Sequence, residues 1–471
     1  IALFGDAKSL TQLNEIESPI IYCPQHTNQG ASLVAQVIFG GVEINNRLTE
    51  DYTDKYLKNT GFSIAKTRFK FTVPEELGLN VNHFKAIDAI AAEAIREKAA
   101  PGMVVFVAKA GHVIFNKAYG THTYDKGSSK TLITDIFDLA SITKTSATTI
   151  ETMRLYEAGK LNLDTTISTY IAKTRNTNKA NIKVKEVLLH QAGFIPFIPF
   201  YNNIKPTDFS RDSSETYNIK VADSFYMQRS YFKDVMWKQM LESTLKTRGQ
   251  YVYSDLSMYF MKEIVETITQ QPMAAYVRSQ FYAPLGMHTT GFNPRYRFSK
   301  SEIIPTEQDK YFRKTLLWGY VHDQGAAMVG GVSGHAGLFS NASDLAILYQ
   351  MLLNKGTYGG ERYFKPKTIE MFTAKQSDIS RRGLGFDRYD ADSKTGYPSK
   401  LASNQTYGHT GYTGTCVWVD PAKDLVYIFL FISVLYSCAR ITAPTGGPKD
   451  EDPPVLKVAT PGHQSTNVRP E

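Results

Sequence analysis

A chain of 471 residues that is 42% hydrophobic and 21% charged has the balance of an ordinary globular protein with ample core, and its length corresponds to about three domains. The net charge of +8 comes from Lys and Arg scattered without a basic run, which suits anionic surfaces such as cell wall and gives no support to nucleic-acid binding. Cys23, Cys416 and Cys438 have neither metal-ligand spacing nor a disulfide framework. The chain opens at Ile1 with no Met and no signal segment, so an upstream stretch is expected and export is left open.

Residues 1–60 read as a small α/β piece. Pro19-Ile20-Ile21-Tyr22 is a short buried-strand candidate, and Ala31, Val34, Val37 and Ile38 mark a helix closing at Gly40-Gly41. The segment is too short for a core of its own. Its words Leu3-Phe4-Gly5-Asp6 and Ala35-Gln36-Val37-Ile38-Phe39-Gly40-Gly41, followed by Arg47-Leu48, resemble the last strand and helix of a family 3 glycoside hydrolase. The resemblance covers a small fraction of that family and does not reach its catalytic carboxylates, so it carries no glycosidase activity. Residues 61–79 read as a linker broken by Pro74.

From Val81, the positions Phe84, Ile87, Ala91 and Ile95 predict an amphipathic helix ending before Pro101-Gly102. Met103–Ala108 and Val113–Ala118 flank Gly111 as a β-hairpin. The apolar pair Ile136-Phe137 then leads to Ser141, which is expected to open a helix striped by Ala147, Ile150, Met153 and Ala158 and stopped by Gly159.

Ser141 and Lys144 lie three apart, within side-chain reach on one helical face. A Ser nucleophile needs an adjacent base, and a desolvated Lys can serve. Ser63/Lys66 and Ser243/Lys246 share that spacing, but the first lies where no helix is expected and the second late in a helical pattern ending near Gly249. A nucleophile at a helix start also meets free backbone N–H groups.

Further on, Ile182–Leu189 runs into His190-Gln191-Ala192-Gly193, a helix ending in a Gly turn, with His190 read as structural. The Phe-, Tyr- and Pro-rich stretch from Phe194 to about Gln250 reads as a long excursion forming a cleft wall. Tyr253-Ser254-Asp255 precedes a helix carrying Leu256, Tyr259, Phe260 and Ile264. A Gly-rich turn from Val329 to Gly337 matches neither phosphate-binding pattern. Tyr407 to Thr415 runs into Val417-Trp418-Val419 as a strand edge that a ligand backbone could approach.

Ser141-x-x-Lys144, Tyr253-x-Asp255 and His409-Thr410-Gly411 stand in the order and rough spacing of a known set. With Leu188-Leu189-His190 and Gly334-His335-Ala336-Gly337, they make residues 80–431 resemble the serine β-lactamase and penicillin-binding-protein superfamily, in its class C and esterase-like branch. The resemblance implies an α+β fold, an antiparallel sheet flanked by helices beside a mainly helical subdomain, with the partial α/β segment ahead of it. It makes Ser141 the acylated nucleophile, Lys144 its base or pKa-tuning neighbour, and Tyr253 the proton relay. Asp255, His409, Thr410, Gly411 and Tyr412 would bind substrate, His409 orienting the Tyr253 hydroxyl, with the N–H groups of Ser141 and Tyr412 as the oxyanion hole. Lys394-Thr395-Gly396 reads as a decoy in a loop.

Two departures matter. Asp255 replaces the usual Asn and would favour a charged Lys144, while His409 stands where many relatives have Lys. Both tilt the expectation toward an esterase or peptidase-like serine hydrolase without metal or organic cofactor, acting on a small-molecule or peptidoglycan-fragment substrate in the periplasm or cell envelope. The alternatives are a catalytically impaired binding protein of the same fold, or the remnant of a bifunctional glycosidase (β-N-acetylhexosaminidase-like)–hydrolase. Residues 432–471 read as a foreign tail. Its apolar run ends at Cys438 like a lipoprotein signal, a route to membrane attachment by lipidation only if the tail is genuine, and polar, Pro/Gly-rich sequence follows.

Overall fold

The computed structural model describes residues 1–391 and 396–432. Its centre is a seven-stranded sheet in the order Asp387–Arg388, Tyr407–Thr410, Cys416–Asp420, Leu425–Phe431, Gly102–Lys109, His112–Gly120, Lys70–Phe71. Neighbours are antiparallel throughout except at the last pair. The hairpin turn at Gly111, with φ +68°, joins the two long strands as the sequence predicts.

Strand alternation decides what covers each face. Val426, Ile428 and Leu430 are buried together with Val104 and Phe106, and the helix Ala342–Leu353 packs over them. The opposite face carries Met103, Phe429 and Phe431, covered by Ala91 and Ile95 of the helix Lys85–Arg96. Ile432 continues the line: its N–H donates to Gly102 O at 3.1 Å, and its side chain is buried.

Beside the sheet lies the helical part, built on Leu256–Thr269, whose Leu256, Met258, Tyr259, Phe260, Met261, Ile264 and Val265 are all buried. Its first two turns, buried almost throughout, make this helix the support of its own N-terminus, where Asp255 sits. A small antiparallel sheet, Gly291–Phe292, Leu338–Ser340 and Phe137–Asp138, brings the 338 strand beside the segment leading into Ser141.

Several expectations change. The stripe after Ser141 is not one α-helix: a 3₁₀ turn, Ala140–Ile142, passes into a π-helical turn, Lys144–Thr149, before α-helix Ile150–Glu157. The tertiary bonds of Thr143, Lys144 and Thr148 to residues 334–338 offset the departure from regular geometry. The helix before Ser243 is Trp237–Glu242 and ends there rather than near Gly249. The expected linker contributes Lys70–Phe71 to the sheet edge and Phe69 to the main core. The stretch read as an excursion holds a three-stranded sheet of Phe209–Ser210, Phe225–Gln228 and Tyr217–Ala222. Residues 392–395 of the decoy loop and the Cys438 segment lie outside the described residues.

Phe106 is fully buried, faces Ile428 across the strand pair and meets the Phe69 ring edge-on at 5.9 Å. Phe106→Ala is expected to cost roughly 3–5 kcal/mol in urea unfolding. Ile90→Ala, on the exposed side of the covering helix, is expected to change stability by less than about 0.5 kcal/mol.

Candidate active site

The turn that presents Ser141 is built by Asp138. Its carboxylate accepts from Ala140 N–H at 2.8 Å and from His322 N–H at 2.6 Å, and burial raises its pKa. Ala140 is held at φ +45°, a conformation rare for a residue with a Cβ. Thr413 and Thr415 donate to the carbonyls of Asp138 and Leu139 at 2.9 and 3.3 Å. Gly411 approaches so closely that a Cβ there would stand 2.6 Å from Leu139 O. The 411–415 turn is thereby locked to the Ser141 turn.

Lys144 is completely buried and its ammonium is ringed by acceptors: Ser141 Oγ at 2.7 Å, Asp255 Oδ1 at 2.7 Å and His335 O at 3.2 Å. Next to it, Gly334 packs against the start of the helix Leu256–Thr269, where a Cβ at 334 would lie 2.0 Å from Met258 O. Burial pulls the Lys144 pKa down, the charges of Asp255 and Tyr253 push it up, and the balance lies above the ordinary lysine value. The Tyr253 hydroxyl interacts with both Lys144 and Ser141. Burial holds that phenol above its usual range against the pull of Lys144.

The sequence-predicted residues Ser141, Lys144, Tyr253 and Asp255 therefore converge. Thr410 and Tyr412 are exposed and Gly411 half-buried at the end of the neighbouring strand. His409 differs from expectation. It is buried, its Nδ1 donates to Thr410 O at 2.7 Å, and its Nε2 has no hydrogen-bond partner among the described residues, so it does not hold the Tyr253 hydroxyl. Its ring lies 6.1 Å from that of Tyr253. His190, expected to be structural, accepts from Ser254 N–H at 3.2 Å and packs its ring 4.7 Å from Tyr253.

Asp255, Asp323 and His335 bring ligand-type atoms within 4.8 Å of one another. Asp323 already binds His335 Nε2 at 2.8 Å and caps the helix Gln324–Met328, while Asp255 pairs with Lys144, so these groups satisfy each other. Sequence reasoning missed Asp323, His322, Thr413 and Thr415, which act by contacts far along the chain.

With this geometry in hand, the comparisons with known proteins are direct. The family model "Beta-lactamase" matches residues 87–434. The chain belongs to the beta-lactamase family. A protein of Escherichia coli O157:H7 named "Putative D-alanyl-D-alanine carboxypeptidase" is 32% identical over 406 residues, covering 80% of this chain and 89% of that one. Two solved structures share the fold: the octameric penicillin-binding protein homologue from Pyrococcus abyssi, at TM-score 0.55, 19% identity and coverages of 75% and 74%, and a penicillin-binding protein homologue from Caulobacter crescentus, at TM-score 0.54, 18% identity and coverages of 75% and 93%. This beta-lactamase family member is a serine hydrolase. No helix of its described residues is long and apolar enough to cross a membrane.

Buried neutral histidines make an acid-sensitive core. Burial, with Arg382 and Lys144 nearby, lowers the His409 pKa from 6.5 to about 3, and burial pushes His190 well down. Below pH 6.5 the unfolded chain therefore binds protons that the folded state refuses, and stability falls as pH falls, by about 1.4 kcal/mol per pH unit per histidine. His322, which burial lowers but its Glu307 pairing raises further, titrates with the opposite sign. Melting temperatures measured between pH 7 and 5 are expected to fall less steeply for His409→Asn than for the unaltered protein.

Proposed function

We propose that Ser141 is the nucleophile of an acyl-enzyme mechanism on an ester or amide carbonyl of cell-wall-derived peptides, with β-lactams as poorer substrates. The observation that carries this reading is the 2.7 Å contact of Lys144 Nζ with Ser141 Oγ, closed on its other side by Asp255. Asp255 keeps Lys144 charged, which favours lysine as a donor that lowers the pKa of the Ser141 hydroxyl over lysine as the base. Tyr253, in its phenolate form, is then the group to accept the Ser141 proton and return it to the leaving group. The N–H groups of Ser141 and Tyr412, on two turns fastened together by Thr413 and Thr415, supply the oxyanion hole. Thr410, Gly411 and the exposed Tyr412 line the acyl-binding edge.

The carboxypeptidase name of the E. coli relative supports cell-wall peptide as substrate and an envelope location. Asp255 and a neutral His409 favour the class C, esterase-like branch. The parallel pair Ala2–Phe4 and Ile21–Cys23 with helix Asn28–Ile38 supports the glycoside-hydrolase-like reading of residues 1–60, ahead of a hydrolase domain at 80–431 whose core and sheet are joined by Phe69 and Lys70–Phe71 of the expected 61–79 linker. Of the expected tail 432–471, Ile432 bonds to Gly102 and is buried in the core, so the proposed tail starts beyond it, with Cys438 as a lipidation site.

A fluorophosphonate probe is expected to label the full chain and to fail on Ser141→Ala, with p-nitrophenyl ester hydrolysis lost in parallel. Ser63→Ala and Ser243→Ala are the controls expected to match the unaltered protein. Labelling that survives Ser141→Ala rejects the nucleophile. An unlabelled but folded protein favours the non-catalytic binding cleft.

Tyr253→Phe is expected to slow ester turnover by roughly 10²–10⁴-fold, well beyond His409→Ala; the reverse order would place the base at His409.

Asp255→Asn removes the charge that raises Lys144. The same charge also raises the Tyr253 phenol, so without it the pH–rate profile is expected to rise at lower pH, with neutral-pH activity kept or increased. A large loss in a folded variant would give Asp255 a direct role in substrate binding.

A further inference from the structure

Tyr253 has two cations beside its ring. Lys144 Nζ lies 5.0 Å from the ring centroid and Arg382 Cζ lies 5.3 Å from it. Arg382 comes from the loop between helix Pro366–Thr373 and strand Asp387–Arg388, and no motif marks it. Its Nε and Nη2 donate to Tyr251 Oη at 3.2 and 3.1 Å. Asp387 lies 3.7 Å from its Nε, but that carboxylate is already held bidentately by Arg381 at 2.7 and 3.0 Å and takes the Tyr397 hydroxyl at 2.9 Å. Arg382 is 3% exposed, and its Nη1 has no hydrogen-bond partner among the described residues.

A guanidinium so enclosed cannot touch substrate. It can act on Tyr253. His409, standing where many relatives have Lys, is buried against Thr410 O and brings no charge to this wall of the site. We propose that Arg382 is a positioning residue for the reaction, supplying behind Tyr253 the second positive charge that His409 does not carry. The inference rests on the acyl-enzyme reading above and deepens it.

The step it assists balances within the site. Starting from the Tyr253 phenolate, which forms along the rising limb of the pH profile, the Ser141 Oγ electron pair forms the bond to the carbonyl carbon while its proton passes to Tyr253 Oη. The carbonyl π pair moves to the oxyanion, then collapses to break the bond to the leaving group, which takes the proton back from Tyr253. Negative charge on Tyr253 Oη is what the two cations favour. The groups facing Tyr253 are Lys144 and Asp255 on the Ser141 side, the His190 and His409 rings, and Tyr251 with Arg382, behind which Asp387 and Arg381 pair. Asp255 opposes the effect and Lys144 reinforces it. The two histidines are neutral above pH 6.5, which leaves Arg382 as the further cation among these groups.

The test compares fluorophosphonate labelling rates of the full chain between pH 6 and 10 for the unaltered protein, Arg382→Met, Arg382→Lys, Tyr253→Phe and the Tyr253→Phe/Arg382→Met double variant, with melting temperature as the folding control. Loss of a charge at this distance is expected to move the rising limb upward by about one to two pH units in Arg382→Met. Arg382→Lys is expected to keep most of the original profile. In the Tyr253→Phe background, Arg382→Met is expected to change nothing further, because its target is gone. A folded Arg382→Met whose profile superimposes on the original overturns the proposal, as does an equal additional loss in the Tyr253→Phe background. If Arg382→Met fails to fold, Arg382→Lys decides: retention of the limb supports the charge, and a shift of one unit or more overturns it. Difference titration of the Tyr253 phenol at 295 nm, with Tyr253→Phe as the blank, separates the two readings. An unreactive protein whose phenol still shifts upward in Arg382→Met has lost the acyl-enzyme reading and kept the electrostatic one.

Discussion

A completely buried ammonium is the constraint around which this hydrolase is arranged. Taking the Lys144 charge out of water is costly unless a counter-charge and enough acceptors meet it. Asp255 supplies the charge, and Ser141 Oγ and His335 O take further N–H groups. Those partners come from three separate chain segments, so satisfying one amine fixes the Ser141 turn, the start of the helix Leu256–Thr269 and the 334–338 stretch relative to one another. Removing Asp255 would leave the buried ammonium without its counter-charge, a loss that typically costs about 3–5 kcal/mol while the amine stays charged.

The same set decides the chemistry. Relative to the Asn and Lys of the resembling pattern, Asp255 adds a negative charge and His409 withdraws a positive one. Either change alone would unbalance the wall of the cleft. Here Asp255 is absorbed by Lys144, and Arg382 stands behind Tyr253 where it cannot meet substrate. Under the proposed acyl-enzyme reading, Ser141 is tuned by a charged neighbour and the Tyr253 phenolate carries the proton.

Much of this was legible in the chain. The Gly111 hairpin, the striped helix after Asp255 and the three motif words in register each follow from periodicity, turn chemistry and side-chain type, and their order along the chain carries the family. What the sequence hid is what local preference does not encode. Nothing in Lys144–Thr149 distinguishes a π-helical turn from an α-helical one; the choice is made by bonds from Thr143, Lys144 and Thr148 to residues 334–338. Lys70–Phe71 looks like linker because a two-residue edge strand has no period to read. His409 looks cleft-facing by analogy, yet pairing with Val417 on the next strand puts it among buried neighbours.

Ala140 shows how such a site is kept in place. A positive φ at a residue with a Cβ costs of order 1–3 kcal/mol and persists only where its surroundings over-determine it. Here they do. The Asp138 carboxylate ties the Ala140 N–H to the His322 N–H, Leu139 N–H donates to Leu338 O at 2.9 Å, and two threonines from the 411–415 turn hold the carbonyls of Asp138 and Leu139. Relaxing φ would swing Ser141 away from Lys144 and break the contact that satisfies the buried amine. The strain at Ala140 and the burial of Lys144 are thus two sides of one arrangement: the turn is bent so that the hydroxyl can reach the charge, and the charge in turn holds the hydroxyl there.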